Sequence, residues 1–312
     1  MERKNVVIIG AGLMGSGIAA ISALAGNATI LVDKNIEAGE KGVAGAKRNI
    51  LTLLDNALAT AEDAQKAEKL LSATNDMKAA LKEANLVIEA IYENLQMKQE
   101  IFKAIDEELP ADIPILSNTS GLRITDIAKE VKYPERTMTA HFWYPAHLVP
   151  LVEVVMSEKT DETMAVQVKQ RLAQWGKAPV LVKKDLPGQL ANRILQAIIR
   201  ESVDIVASGL ATPEDVDTAI KMGMGIRFPV WGPLEHIDAV GLDLASSVQN
   251  TVLPDINADK KANAYLEELV EGGNLGCKTG KGIYDWSKKD IKELEKRRDE
   301  FIMYALKKSR GV

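Results

Sequence analysis

Val6-Val7-Ile8-Ile9-Gly10-Ala11-Gly12-Leu13-Met14-Gly15 runs from four apolar residues into three glycines spaced G-x-G-x-x-G. A short apolar run closed by glycine reads as a strand buried on both faces. The small residues after it, about 16–25, read as a helix. In that setting Gly10 permits a tight turn, Gly12 lets backbone approach a pyrophosphate, and Gly15 packs helix on strand. Leu13 and Met14 lie at the helix start, where unpaired amides and the positive dipole end favour phosphate. Residues 29–32 read as a second strand ending at Asp33. A carboxylate there accepts from ribose hydroxyls and repels a 2′-phosphate, so NAD is favoured over NADP, and Lys34 beside an aspartate is a poor phosphate clamp. The glycines alone also fit a tight βα turn with no ligand. The strand before, the helix after and Asp33 at the end of the second strand are what a dinucleotide site requires in addition.

Outward from this start the chain alternates. A long helical stretch covers about 36–58 and a shorter one 61–71, read as an arm on the sheet. Strands are expected at 86–90, 113–116, 137–141, 152–155 and 180–182, with a helix at 95–109 closed by Pro110. Alternating strands and helices predict a parallel α/β sheet. After Asp185-Leu186-Pro187-Gly188 the pattern turns helical, at about 189–208, 213–222 and a C-terminal set. The expected division is a Rossmann-type dinucleotide-binding domain at 1–185 and a mostly α-helical substrate and dimerisation domain at 186–312. The charged run 288–298 reads as a solvated helix face.

The chain has 312 residues, enough for two cores. Its net charge of −5 gives no dominant basic face, which argues against nucleic acid as the partner. One cysteine, Cys277, rules out an internal disulfide and fits a reducing compartment. With no signal-like or membrane-spanning stretch read, the expectation is a cytoplasmic protein with no membrane partner. No metal-ligating cluster is expected.

The chemistry is expected at His141-Phe142-Trp143-Tyr144-Pro145 and Leu151-Val152-Glu153-Val154-Val155. Glu153 is the only acidic residue in an apolar strand, and a buried carboxylate is costly unless paired. The nearest candidate partner in sequence is His141, and a His–Glu pair is a general base whose tautomer the acid sets. His147 and His236 lack such a partner and read as structural or rim residues.

Taken in order, further segments resemble the L-3-hydroxyacyl-CoA dehydrogenase family almost end to end. They are Val87-Ile88-Glu89-Ala90 with Glu93-Asn94, Ser117 to Leu122, Pro187-Gly188 with Asn192-Arg193, Gly232-Pro233 with Gly241-Leu242-Asp243, and Gly280-Lys281-Gly282-Ile283-Tyr284. The resemblance implies NAD-dependent alcohol oxidation, a Rossmann-type N-terminal domain and a helical C-terminal domain that makes a homodimer. It implies His141 as base, Glu153 as its orienting acid, and Ser120 and Asn192 lining the reacting oxygen. It implies Glu93 and Lys98 on the nicotinamide and ribose side of the cofactor, with Asn118 also at the cofactor. Ser120 also fits a helix cap near Leu122, and Asn192 a polar residue at a helix start.

Two departures bear on the substrate. Tyr144 stands where the family usually has an asparagine on the nicotinamide side. The link from Lys221 to Pro233 is longer than in typical acyl-CoA members and carries Arg227, as in relatives acting on free hydroxy acids such as carnitine and gulonate dehydrogenases. An arginine there binds a carboxylate bidentately; the plainer reading is a surface arginine. For CoA, residues 41–71 hold five cations and four anions, a balance that neither demands nor excludes it. Phe142, Trp143, Tyr144, Phe228 and Trp231 read mainly as packing around the cleft. The expected substrate is therefore a small free 3-hydroxy acid, with a short 3-hydroxyacyl-CoA as the alternative. A non-catalytic, crystallin-like or NAD-sensing role is the remote one.

Overall fold

The computed structural model describes residues 5–311. Eight strands form one sheet in the order β3-β2-β1-β4-β5-β6-β7-β8. They are β1 (Asn5–Ile9), β2 (Ala28–Val32), β3 (Leu71–Thr74), β4 (Ala84–Glu89), β5 (Ile115–Ser117), β6 (Thr137–Phe142), β7 (Leu151–Met156) and β8 (Ala178–Val182). The helices between them are α1 (Leu13–Leu24), α2 (Ile36–Asp55), α3 (Ala61–Lys69), α4 (Met77–Leu81), α5 (Leu95–Glu108), α6 (Ile124–Ile127) and α7 (Glu162–Gln174).

The continuous apolar strands have a simple cause. Val6 and Ile8 of β1 pack into one core layer and Val7 and Ile9 into the other, so the pleat sends alternate side chains to two apolar faces. The first layer is closed by Ile18, Ala46, Ala64 and Leu172, the second by Leu81, Phe102 and Ile124. Helix starts are set by side-chain caps: Asn35 accepts from the Ala38 amide, Asn94 from Met97 and Asp161 from Met164.

Several sequence expectations are corrected. The sheet is parallel except at β6–β7, which pair antiparallel across the tight 143–150 connection; a connection that short does not carry a parallel crossover. The segment 36–71 is not an arm. α2 and α3 form the crossover from β2 to β3, and the second helix ends at Lys69 because Leu71 begins β3, an edge strand the sequence reading missed. α1 starts at Leu13 rather than near 16. The expected helix at 213–222 divides into an α-helix, Pro213–Ala219, and a π-helical segment, Ile220–Gly225.

The chain divides into two compact units, one running through Ala191 and resuming at Ile302, the other Asn192–Phe301. The second unit is helical: Ala191–Ala207 enters it, followed by Pro213–Ala219, Pro233–Val240, Leu242–Val252 and Ala264–Glu271. In the last helix, Ile291–Arg310, residues 291–298 of the charged run are exposed, and beyond them Met303 is buried in the first unit's core.

Candidate active site

The strand order reverses between β1 and β4, and in an open α/β sheet such a switch point leaves a crevice at the carboxyl ends of the strands. Gly10, Asp33, Glu89, Ser117 and His141 all lie at that edge, each at the end of its own parallel strand. The strand ends are stitched together: Gly10 N–H donates to Val32 O, Ala90 N–H to Ile9 O, and Asn118 N–H to Glu89 O.

Two of the three glycines are required by sterics. Gly10 has φ +102°, and a Cβ there would meet Ala90 O at 2.6 Å. A Cβ on Gly15 would lie 1.9 Å from Gly10 O, so only glycine lets α1 approach the turn. A Cβ on Gly12 would meet nothing within 4 Å. The space beside Gly12, with exposed Leu13 and half-buried Met14 at the start of α1, is a cradle that a pyrophosphate fits. Asp33 has a second task the sequence did not disclose: its Oδ2 accepts from Ala11 N–H at 2.8 Å, tying the glycine turn to β2. Its Oδ1 accepts from Lys34 N–H.

The His–Glu pair is present. β6 and β7 are in a register that sets His141 opposite Glu153, and His141 Nδ1 lies 2.8 Å from Glu153 Oε2. The carboxylate is fully buried and takes three further N–H donors. Leu190 and Ala191 amides reach Oε1 at 2.9 and 2.8 Å, and Trp143 Nε1 reaches Oε2 at 3.0 Å. Burial pushes this carboxyl up. The bonds from His141, Ala191, Trp143 and Leu190 outweigh it and hold the carboxyl at about 2. Glu153 is therefore an anion at neutral pH. As an acceptor-only group it fixes the proton on Nδ1 and leaves Nε2 as the basic nitrogen. Sequence reading found the pair but missed the other three donors. The Leu190 and Ala191 amides are delivered by Gly188, φ +77°, and Gln189, φ +53°, which turn the chain into the following helix.

Ser120 is exposed beside this edge. It caps no helix: α6 begins at Ile124 after Arg123 with no side-chain cap, and the Leu122 N–H bonds to Thr119 Oγ1. Glu93 organises the loop: its Oε1 accepts from Thr119 Oγ1, Ser120 N–H and Gly121 N–H. Burial pushes Glu93 up, but Thr119, Gly121, Lys98 and Ser120 together hold it below the usual carboxylate range. Lys98 is buried, with Nζ 2.6 Å from Glu89 Oε1 and 3.5 Å from Glu93 Oε2; Ser117 Oγ donates to Glu89 Oε2. Lys98 thus lies beneath the loop and acts on it through Glu93. Asn118 Oδ1 accepts from Phe142 N–H, binding the β5 loop to the histidine strand.

Tyr144 is half exposed, Phe142 is core and Trp143 is bonded to Glu153, so of these three aromatics only Tyr144 offers a wall to solvent. In the second unit, Asn192 is half-buried and accepts from Gln196 Nε2, and Arg227 is exposed with its Nε donating to Gly223 O. His236 lies edge-on to Trp231 at 5.1 Å, a packing role. Among the described residues no cluster of metal-ligating side chains occurs and no helix is long and apolar enough to cross a membrane.

Residues 5–186 match the NAD binding domain of 3-hydroxyacyl-CoA dehydrogenase, and 188–286 its C-terminal domain. The chain is 34% identical to 5-formyl-3-hydroxy-2-methylpyridine 4-carboxylate 5-dehydrogenase of Mesorhizobium japonicum, over 95% of this chain and 94% of that one. It is 34% identical to 3-hydroxybutyryl-CoA dehydrogenase of Clostridioides difficile, over 91% and 100%. The crystal structure of a dehydrogenase for the same formyl-hydroxypyridine carboxylate, described as an NAD+ dependent dismutase, superposes with TM-score 0.88 at 32% identity. It covers 100% of this chain and 99% of its own. An (S)-3-hydroxybutyryl-CoA dehydrogenase from Ralstonia eutropha gives 0.76 at 35% identity, covering 92% and 100%.

Proposed function

Because the chain belongs to the 3-hydroxyacyl-CoA dehydrogenase family and is an NAD-dependent dehydrogenase acting on a CH–OH group, we propose that its substrate is a small free carboxylate. The observation that carries this reading is the full-length likeness, TM-score 0.88, to an enzyme whose substrate is a pyridine carboxylate; the acyl-CoA relative above reaches 0.76. Two features support it. Tyr144 stands where acyl-CoA members of the family usually have an asparagine on the nicotinamide side. Arg227 presents an exposed guanidinium from the segment that is lengthened in free-acid relatives.

In this reading His141 Nε2 takes the hydroxyl proton while Glu153 stabilises the imidazolium that forms. The glycine turn at Gly10, Gly12 and Gly15, with Asp33, would hold NAD, which would supply the hydride acceptor for the carbon that bears the hydroxyl. Ser120 and Asn192 donate to the substrate oxygen, which carries negative character in the reverse direction. Glu93, held by Lys98, and Asn118 shape the cofactor side, Asp33 takes the ribose hydroxyls, and Arg227 binds the carboxylate.

The second reading is a short 3-hydroxyacyl-CoA, favoured by the identity to 3-hydroxybutyryl-CoA dehydrogenase over nearly the whole chain. NADH formation measured on a panel of free hydroxy acids, formyl carboxylates and 3-hydroxyacyl-CoAs separates the two. The free-carboxylate reading further requires that Arg227→Ala raise KM for the preferred acid by at least about tenfold, the share of a charge-assisted bond. Turnover confined to CoA thioesters, indifferent to Arg227, overturns it.

We also propose that the protein is a homodimer through the second unit. The resemblance to the family supports this, and Leu210, Val230 and Leu234 there are each more than three-quarters exposed, apolar surface available to a partner. Light scattering gives the mass directly. The lone exposed cysteine, Cys277, accords with a reducing compartment such as the cytoplasm.

A further inference from the structure

Trp143 is joined to the reaction by one bond. Its indole Nε1–H donates to Glu153 Oε2 at 3.0 Å, the same oxygen that accepts from His141 Nδ1 at 2.8 Å. The indole ring lies 5.7 Å from the imidazole, tilted by 50°. We propose that Trp143 is a positioning residue that sets the basicity of His141, by sharing the one carboxylate oxygen that stabilises the imidazolium. The inference rests on His141 being the base.

The argument begins with the lone pairs of a carboxylate, about four sites over two oxygens. In Glu153 all four are used: two by the Leu190 and Ala191 amides on Oε1, two by His141 and Trp143 on Oε2. The amides belong to the backbone and hold Oε1 in place. Oε2 is then the only oxygen whose donors are side chains. A neutral N–H on that oxygen draws charge from it and leaves less for the imidazolium. It also stops the carboxylate rotating as the proton arrives and departs. Trp143 thus fixes the acid and moderates it together.

Few other charges compete for this role. Glu153 is the only charged side chain other than His141 carried by β5, β6, β7 and β8. The neighbouring charged set, Glu89, Glu93 and Lys98, is tied up within itself and with Ser117 and Thr119. In the linker after β8, Lys183 pairs with Glu162, and Asp185 accepts from Thr125 N–H.

Trp143→Phe keeps a ring and removes the donor. Followed by NMR in the cofactor-free protein, the His141 titration should move to higher pH in Trp143→Phe by about three- to tenfold in proton concentration, the share of one neutral hydrogen bond. His141→Gln identifies the resonance among the three histidines. The acid limb of kcat/KM for oxidation should move with it, while NAD affinity stays. In the parent, the Trp143 indole N–H resonance should follow the same titration, a readout that does not depend on the variant folding. A His141 titration unmoved in folded Trp143→Phe, or an indole resonance indifferent to it, overturns the proposal. A titration that moves while the rate profile does not upholds the coupling and refutes His141 as the base.

Discussion

Replacing Glu153 by Gln changes one atom and should remove most of the activity. A Gln carbonyl oxygen has two lone pairs. If it keeps the Leu190 and Ala191 amides, as Oε1 now does at 2.9 and 2.8 Å, the NH2 group is turned toward His141 Nδ1 and Trp143 Nε1. His141 can then bond to it only by accepting at Nδ1, which places the proton on Nε2, the nitrogen that should be the base. Trp143 Nε1–H is left facing another donor. In a hydrolase triad, the wrong tautomer with intact geometry costs about 10⁴ in turnover. Here about 10³–10⁴ in kcat is expected, or about 4–5 kcal/mol of transition-state stabilisation. The glycine turn and Asp33 are untouched, so the NAD dissociation constant should change less than about threefold. The same substitution has a signature in stability. Because the folded carboxyl is held at about 2 against an ordinary 4.5, ionised Glu153 contributes about 3 kcal/mol that is fully present above pH 4.5. That contribution is lost as pH falls from 4.5 toward 2. The parent should therefore lose stability through that window more steeply than Glu153→Gln does. Steady-state NADH formation on the best substrate of the panel, NADH fluorescence binding and melts at pH 7 and pH 3 read the three effects. Unchanged kcat would refute the pairing argument, and NAD affinity lost in step with kcat would show that the variant is merely misfolded.

Asp33→Ala should narrow the preference for NAD over NADP by about ten- to a hundredfold, read as the ratio of kcat/KM values. A parent that already prefers NADP would contradict the role given to Asp33. Gly15→Ala must push the new methyl off Gly10 O, 1.9 Å away. A loss of about 1–3 kcal/mol in stability and a weaker NAD complex are expected, and a wild-type melt with wild-type binding would show that the turn yields more easily than this. Arg136 and Asp106 form a buried ion pair at 2.6 Å, with Arg136 also donating to the Leu109 and Asp106 carbonyls. Arg136→Met removes the cation from Asp106, leaves it only the Lys132 amide as a donor, and should cost about 3–5 kcal/mol, a drop of roughly 6–15 °C in Tm; a smaller drop together with a wild-type pH profile would mean that solvent reaches Asp106.

How much of this was legible depended on the range over which each feature is determined. The glycine turn, the strand before it and Asp33 are local: their identities suffice, because backbone sterics and a free helix end act within a few residues. β3 was not legible, because Leu71-Ser72-Ala73-Thr74 carries no apolar run and is a strand only by pairing with β2. The antiparallel turn at β6–β7 followed from loop length, which the alternating pattern obscured.

The His–Glu pair falls between these cases. Twelve residues of separation do not by themselves place Glu153 against His141; the hairpin register does, with Met138 opposite Met156, Ala140 opposite Val154 and Phe142 opposite Val152. A slip of one residue would put Val152 or Val154 opposite the imidazole and send the glutamate to the other face. What holds the register is the apolar remainder of β7, since Val152 and Val154 are core and cannot be exchanged for a carboxylate without loss. The acidic residue was conspicuous in sequence for that same reason. Its other donors were not, because the Leu190 and Ala191 amides come from the backbone and any residue type supplies one. Trp143 was visible but read as packing: an indole in sequence declares its ring, and only the geometry declares where its one N–H is spent.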